Sequence, residues 1–236
     1  MPKQLAIVLV NWNSFELTKD TLESLQQTTF TNYDCIVVDN GSVDGSGDRI
    51  ENEFPNCIVL KSSINKGFTG GNNIGMDYAL QNGYEYIMLL NNDVAVEPNF
   101  LEPLISRLDQ DPKIGAVQPL IYFHHDRNVI WNAGSTYNSF LGICATPDYN
   151  KKDEGHLFMH KAKKIDWITG CAFMIRATVL QKVGLLKEAF FIYYEDVDLS
   201  FRIKAAGYQL DYVPSSVIYH IAGMSHKTKE KEKKVL

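Results

Sequence analysis

Tyr86-Ile87-Met88-Leu89-Leu90-Asn91-Asn92-Asp93 is the stretch on which the fold class turns. A short unbroken apolar run that stops at turn-forming residues reads as a strand buried on both faces, the kind found in sheets covered by helices on each side. In such sheets ligands bind beyond the carboxyl ends of the strands. An Asn-Asn-Asp corner at that place suits a divalent cation. Mg²⁺ and Mn²⁺ prefer hard oxygen ligands, and Mg²⁺ commonly takes one or two protein carboxylates, with water and substrate phosphate supplying the rest. Asp93 could equally cap a following helix or close a turn. Three other stretches tip the balance towards nucleotide chemistry: Val38-Asp39-Asn40-Gly41-Ser42, Asn65-Lys66-Gly67-Phe68-Thr69-Gly70-Gly71-Asn72-Asn73 and Tyr194-Glu195-Asp196-Val197-Asp198.

Outward from this stretch, apolar strands alternate with helical segments. Strands are expected at Gln4–Val10, Tyr33–Asp39, Cys57–Lys61, Tyr86–Leu90 and Ile114–Tyr122. Helices are expected near Phe15–Gln27 with Ser14 as cap, Asp44–Phe54, Asn72–Gln81 and Pro98–Leu108 with proline at its start. This alternation predicts an α/β fold, a single Rossmann-like domain with a mostly parallel central sheet flanked by helices. Asn11, Asp39, Asn65 and Asp93 all fall just past strand ends. From His124 to Lys164 the periodicity lapses, and a hairpin near Val129–Ala133 with loops is expected. Strand character returns over Ile165–Ile175, interrupted at Gly170, followed by helices at Ala177–Val183 and Asp196–Ala206. Strands at Tyr208–Val213 and Val217–His220 close the pattern.

Composition narrows the function classes. At 236 residues the chain is long enough for a substantial core, and 45% hydrophobic with 22% charged residues is ordinary for a soluble protein. A net charge of -5 argues against general nucleic-acid binding. Cys35, Cys57, Cys144 and Cys171 form no Cys-x-x-Cys pair and read as reduced thiols, and no stretch reaches the roughly 18 apolar residues of a membrane span. The expectation is a cytoplasmic protein. The lysine- and glutamate-rich tail at 226–236 leaves room for peripheral contact with the inner face of the membrane.

The individual stretches carry chemistry. The turn Asn11-Trp12-Asn13-Ser14 has no glycine, so a dinucleotide fingerprint is excluded there, and no P-loop is present. A carboxylate at Asp39 can accept the N3–H of uracil or thymine, and an Asx-turn onto Asn40-Gly41 is compatible with that role. Asn65–Asn73 reads as a glycine-rich loop feeding a helix, with backbone N–H groups and Lys66 able to meet phosphate, or as an ordinary turn with Gly67 and Gly70 at positive φ. Glu195-Asp196 follows the aromatic run Phe190–Tyr194. There the acids either serve the helix dipole or supply a general base in an aromatic-walled pocket. His220 ends the last strand.

Taken together, Asn11-Trp12-Asn13, Asp39-Asn40-Gly41-Ser42, Asn65-Lys66-Gly67-Phe68, Gly70-Gly71-Asn72-Asn73, Asn91-Asn92-Asp93, Thr169-Gly170-Cys171, Glu195-Asp196-Val197-Asp198 and His220 with Gly223 and Ser225 resemble the family 2 inverting glycosyltransferases of the GT-A fold, especially the bacterial rhamnosyltransferase-like members. The resemblance runs over 4–225, with a nucleotide-binding half to about 122 and an acceptor half from about 123. It implies transfer of a sugar from a UDP- or dTDP-sugar, dTDP-rhamnose among the candidates, to a hydroxyl of a glycan or lipid-linked saccharide in cell-surface polysaccharide synthesis. It implies that Asp39 binds the base, that Asp93 and His220 hold Mg²⁺ or Mn²⁺, and that Asp196 is the base, with Glu195 beside it. Asn11, Asn13, Ser42, Lys66, Gly67, Asn73 and Asn92 would line the donor site, and Gly170 and Tyr194 the acceptor site. Where many members carry a further Asp, this chain has Asn91 and Asn92. Two other readings remain: a sugar-1-phosphate nucleotidyltransferase, which would need an Arg/Lys-bearing glycine loop after the first strand, and a silent nucleotide- or glycan-binding domain.

Overall fold

A computed structural model describes residues 3–155, 157 and 160–221. Gly223, Ser225 and the 226–236 tail lie outside the described residues. The chain runs β1 (Leu5–Asn11), α1 (Phe15–Leu25), β2 (Tyr33–Asn40), α2 (Ser46–Glu53), β3 (Ile58–Ser62), α3 (Gly67–Gln81), β4 (Tyr86–Leu90), β5 (Val94–Val96), α4 (Leu101–Gln110), β6 (Ile114–Phe123), β7 (Ile130–Asn132), β8 (Thr136–Asn138), β9 (Ile143–Ala145), β10 (Lys163–Ile165), β11 (Ala172–Arg176), α5 (Ala177–Val183), α6 (Glu195–Ala205) and β12 (Gln209–His220).

A ten-stranded sheet in the order β10-β12-β6-β11-β4-β1-β2-β3 organises the molecule, with β5 on β12 and β7 on β6. Alternation along β1 and β4 explains their unbroken apolar runs. Leu5, Ile7, Leu9, Tyr86, Met88 and Leu90 pack beneath α1, α2 and α4. Ala6, Val8, Ile87 and Leu89 face α3, α5 and α6 on the other side. With both faces buried, every strand position is apolar rather than every second one.

The sheet is mixed rather than mostly parallel. β3, β2, β1 and β4 are parallel, as are β6 and β12, but β11 is antiparallel to both β4 and β6 and joins the two blocks. Because it runs backwards, β11 starts where β4 ends, and Asn91 N–H donates to the Cys171 carbonyl (2.8 Å). Residues 169–171 are thereby delivered to the ligand-binding rim.

Several boundaries differ from the sequence reading. α3 begins at Gly67, so the glycine-rich stretch is helix rather than loop. Its glycines allow close packing: side chains at Gly71 and Gly75 would press into Val10 and Val8 of β1. α4 starts at Leu101, since the Pro98 carbonyl accepts both the N–H and the hydroxyl of Thr29 and belongs to a turn. Ser14 makes no side-chain cap and donates instead to the Trp12 carbonyl. β12 is one strand whose register shifts between Val213 and Val217, across Pro214-Ser215-Ser216. The hairpin expected near Val129–Ala133 is displaced: β7 adds to the main sheet, while β8 and β9 form a separate two-stranded hairpin.

Candidate active site

The carboxyl ends of β1, β2 and β4 share one rim. Asn11 and Asp39 are direct neighbours across the parallel β1–β2 pair. Asn11 is fully buried, and its amide donates to Asp39 Oδ1 (3.0 Å), Ser42 Oγ (3.2 Å) and Ser46 Oγ (2.8 Å). Its carbonyl accepts from the Thr18 hydroxyl (2.9 Å), which in turn accepts from Asn92 Nδ2 (2.9 Å). One chain of hydrogen bonds thus ties the Asp39 corner to the Asp93 corner. Asn11 spends both side-chain groups on this chain and holds the Asp39 carboxylate, while Asn92 joins it through Nδ2. Asn13 has left-handed backbone (φ 48°); its carbonyl accepts from Val43 N–H (2.9 Å) and its N–H meets Ser42 Oγ (3.0 Å), fixing the β1 and β2 loops together.

The start of α3 is held from two sides. Asn40 Nδ2 donates to the Gly67 carbonyl (2.9 Å), and Asn40 Oδ1 accepts from Lys66 N–H (3.1 Å). Gly67 has φ 72°, and a side chain there would strike the Phe191 carbonyl and ring. The Lys66 side chain is exposed at this helix start, where partial positive charge favours phosphate oxygens. Asn73, expected on the donor, is instead a buried clamp: Nδ2 donates to the Leu186 carbonyl (2.8 Å), and Oδ1 accepts from Leu186 N–H (3.0 Å). It binds the segment preceding α6 to α3, and so positions Glu195 and Asp196.

Asp93 and His220 come together from β4 and β12, with Nε2 3.1 Å from Asp93 Oδ1. Both are buried, and the carboxylate and the imidazole face each other. Trp131 packs edge-on against the imidazole, 4.6 Å between centroids. Burial opposes charge on His220, but Cys171 and the Asp93 carboxylate outweigh it and raise the imidazole above its ordinary value. A buried carboxylate at this corner, faced by a histidine, fits a hard cation. Among the described residues no group of three or more His, Cys, Asp or Glu side chains is arranged to hold an ion, so diphosphate and water would complete the shell.

α6 opens with consecutive non-glycine residues in left-handed backbone, Tyr193 (φ 76°) and Tyr194 (φ 70°), a conformation that persists only where surroundings enforce it. The turn leaves Tyr194 exposed, buries Glu195 and aims Asp196 at Gly170, whose N–H donates to Asp196 Oδ2 (2.8 Å). Burial raises the Asp196 carboxyl above its ordinary value, against the backbone N–H groups that favour the anion. Within α6 an i,i+4 pair joins Arg202 Nε to Asp198 Oδ2 at 2.7 Å, with Lys187 on the other oxygen. Gln118 and Ser200 were not singled out from sequence. They fix the 168–171 turn by accepting from Thr169 and Ile168 N–H (3.0 Å each). The available signal for Gln118 was an amide in an otherwise apolar strand.

Glu195 is 4% exposed with Oε2 unpartnered, and burial pushes its carboxyl from 4.5 up to about 7. The folded state therefore holds a proton there more tightly than the unfolded chain. This contribution is fully present below pH 4.5 and is lost as pH rises to about 7. Melting scans across that window should show a decline worth on the order of 2–3 kcal/mol that Glu195→Gln removes. His220 acts in the same direction only above pH 6.5, and Asp196, also raised by burial, adds to the acid part, so Glu195→Gln removes the Glu195 share alone. An unchanged slope in the variant would dismiss Glu195 as the source.

Relatives in sequence cover most of the chain. It is 25% identical over 236 residues to the N-acetylglucosaminyl-diphospho-decaprenol L-rhamnosyltransferase of Mycobacterium tuberculosis, covering 93% of this chain and 76% of that one. Against the low-salt glycan biosynthesis hexosyltransferase Agl10 of Haloferax volcanii, identity is 26% over 205 residues, covering 86% and 62%. The poly-β-1,6-N-acetyl-D-glucosamine synthase of Staphylococcus epidermidis is 22% identical over 218 residues, and this chain spans 49% of its length. Among solved structures, GalNAc-T7 with UDP, GalNAc and Mn²⁺ superposes with TM-score 0.72 at 17% identity, over 92% of this chain and 44% of that one. TarS 1–349 of S. aureus in complex with UDP gives 0.64 at 14%, over 92% and 60%. These likenesses establish the GT-A architecture. Since the sequence model of glycosyl transferase family 2 matches residues 6–184, well over half the chain, the protein belongs to that family and is a glycosyltransferase.

Proposed function

We propose that the chain transfers a sugar, with inversion, from a UDP- or dTDP-sugar to a hydroxyl of a glycan or lipid-linked saccharide in cell-surface polysaccharide synthesis, working at the cytoplasmic face of the membrane. One observation carries this reading. Hydrogen bonds run unbroken from Asp39 through Asn11 and Thr18 to Asn92; beside them Asn91 binds Cys171, and Gly170 binds Asp196. A base-reading carboxylate, a cation-holding carboxylate and a general base are thus mounted on one frame. The activities of the mycobacterial, haloarchaeal and staphylococcal relatives support a glycan product, and the first of them supports a polyprenyl diphosphate acceptor. Among the described residues no helix is long and apolar enough to cross a membrane, so contact with such an acceptor would be made from the surface.

In this mechanism Asp39 accepts the N3–H of uracil or thymine, which cytosine lacks. The start of α3 and Lys66 receive diphosphate oxygens. Asp93 would hold Mg²⁺ or Mn²⁺, and His220 could join only by releasing its proton. Bound there, the ion would stabilise charge on the departing nucleoside diphosphate. Asp196 takes the proton of the acceptor hydroxyl as it attacks the anomeric carbon from the face opposite the leaving group, through an oxocarbenium-like transition state. Asp196 is preferred over Glu195 because it keeps access to solvent, whereas Glu195 is buried. The exposed Tyr194 stands at the acceptor entrance.

Calorimetry with four nucleotides tests the donor side. UDP and dTDP should bind more tightly than CDP and GDP, and Asp39→Ala should erase most of the difference. Equal affinities for all four in the unaltered protein would overturn the base-reading role.

A further inference from the structure

The β8–β9 hairpin stands apart from the main sheet and ends in an apolar tip. Phe140, Leu141 and Ile143 are 93%, 61% and 53% exposed. The tip is a built turn: Asn138 Oδ1 accepts from Phe140 and Leu141 N–H (3.0 and 3.1 Å), and Gly142, at φ 69°, donates to the Asn138 carbonyl (2.8 Å). Backbone bonds therefore hold these side chains out in water instead of letting them fold back.

The root of the hairpin is fastened beside the reacting groups. Tyr137 N–H donates to Asp166 Oδ2 (3.0 Å), Trp167 Nε1 donates to the Thr136 carbonyl (3.1 Å), and the Tyr137 ring packs on Phe201 of α6 (4.8 Å). Cys144 on β9 lies close enough to Asp196 that the carboxylate's charge adds to burial in raising its thiol.

Lys152, Lys161, Lys163 and Lys164 lie on the stretch of chain that follows the hairpin. Lys163 reaches to Gly134, just before β8. Among the described residues, none of Lys152, Lys161, Lys163 and Lys164 sits in a salt bridge. Of the acids of the same stretch, Asp148 pairs with Lys151 and Asp166 with Lys204, while Asp153 accepts from the Tyr122 hydroxyl and Glu154 remains.

We propose that the β8–β9 hairpin is a membrane finger: its apolar tip enters the interface of an anionic lipid surface, the lysines at its root meet the headgroups, and Asp196 is thereby brought over an acceptor anchored in that surface. The inference rests on the reading of the chain as a transferase towards a lipid-linked saccharide. Dimensions agree. With three residues in β8, the tip stands about 10 Å beyond the root at a rise of about 3.3 Å per residue. Interfacial segments bury their apolar side about 5–10 Å deep. A protein partner fits less well, because three side chains on a narrow turn fall far short of the roughly 800 Å² per partner of a stable interface.

Sedimentation with vesicles of phosphatidylcholine, with and without phosphatidylglycerol, tests the finger without nucleotide or acceptor. The chain should bind the anionic vesicles. Phe140→Ser with Leu141→Ser should weaken binding roughly 10- to 100-fold, leaving UDP affinity unchanged. Lys161→Glu with Lys164→Glu should remove the preference for the anionic lipid. Absence of vesicle binding, or equal binding by the serine variant, overturns the proposal. So does a dimer that dissociates in the serine variant, which would assign the tip to a second copy. Vesicle binding without transfer to a lipid-linked saccharide keeps the finger and removes the lipid-linked acceptor; transfer to such an acceptor without vesicle binding does the reverse.

Discussion

Asp196→Asn is expected to lower turnover by roughly 10²–10⁴-fold, the usual worth of a general base, while donor affinity stays within about twofold. The substitution keeps the shape of the side chain and an oxygen for the Gly170 N–H, so the turn at 168–171 is retained. What it removes is the proton acceptor. The loss should fall on kcat rather than on donor KM, because in the proposed mechanism the carboxylate meets the acceptor hydroxyl and not the diphosphate. Glu195→Gln is the companion measurement and should cost less, since Glu195 is buried beside Gly170 and Phe68. If Glu195→Gln is the inactive variant and Asp196→Asn keeps its rate, the base is Glu195 and the assignment shifts by one residue.

Asp93→Ala should abolish divalent-cation-dependent turnover and leave the fold intact. Asp93 Oδ1 is buried against His220, and among the described residues no cluster of further acids is arranged to take over its role. Cation affinity should be weak without nucleotide and rise when UDP supplies phosphate oxygens. Titrating Mn²⁺ by electron paramagnetic resonance, with and without UDP, reads this directly. Asp93→Asn guards against a mere packing defect, as it keeps volume and loses charge. Full activity in excess chelator, together with a nucleotide complex that has no ion near Asp93, would refute the assignment.

What the sequence made legible was the ordering of elements and the placing of polar residues at strand ends. Burial on both faces writes an unbroken apolar run, and β1, β2 and β4 were readable for that reason. The direction of β11 was not, because an apolar strand reads alike whether it runs parallel or antiparallel. α3 was read as starting late because Gly67, Gly70 and Gly71 signal a loop. Here their lack of side chains serves close approach to Val8 and Val10, a tertiary reason invisible to local preference. Site residues divided along a similar line. Asp39, Asp93 and Asp196 were found as carboxylates at strand and helix ends. That Asn11 and Asn73 are occupied by protein partners could not be seen, since an amide in a motif looks the same whether it meets a ligand or a backbone.

The position of β12 has a consequence for how the protein is made. This strand pairs with β5, β6 and β10 and carries the histidine that meets Asp93. The block from β1 to β4 can assemble while the ribosome is still translating, but β6 keeps a bare edge until residues near 220 have left the exit tunnel. A nascent chain paused before that point presents an unpaired apolar edge, the usual template for aggregation. Synthesis of β12 therefore both covers this edge of the sheet and brings His220 to Asp93.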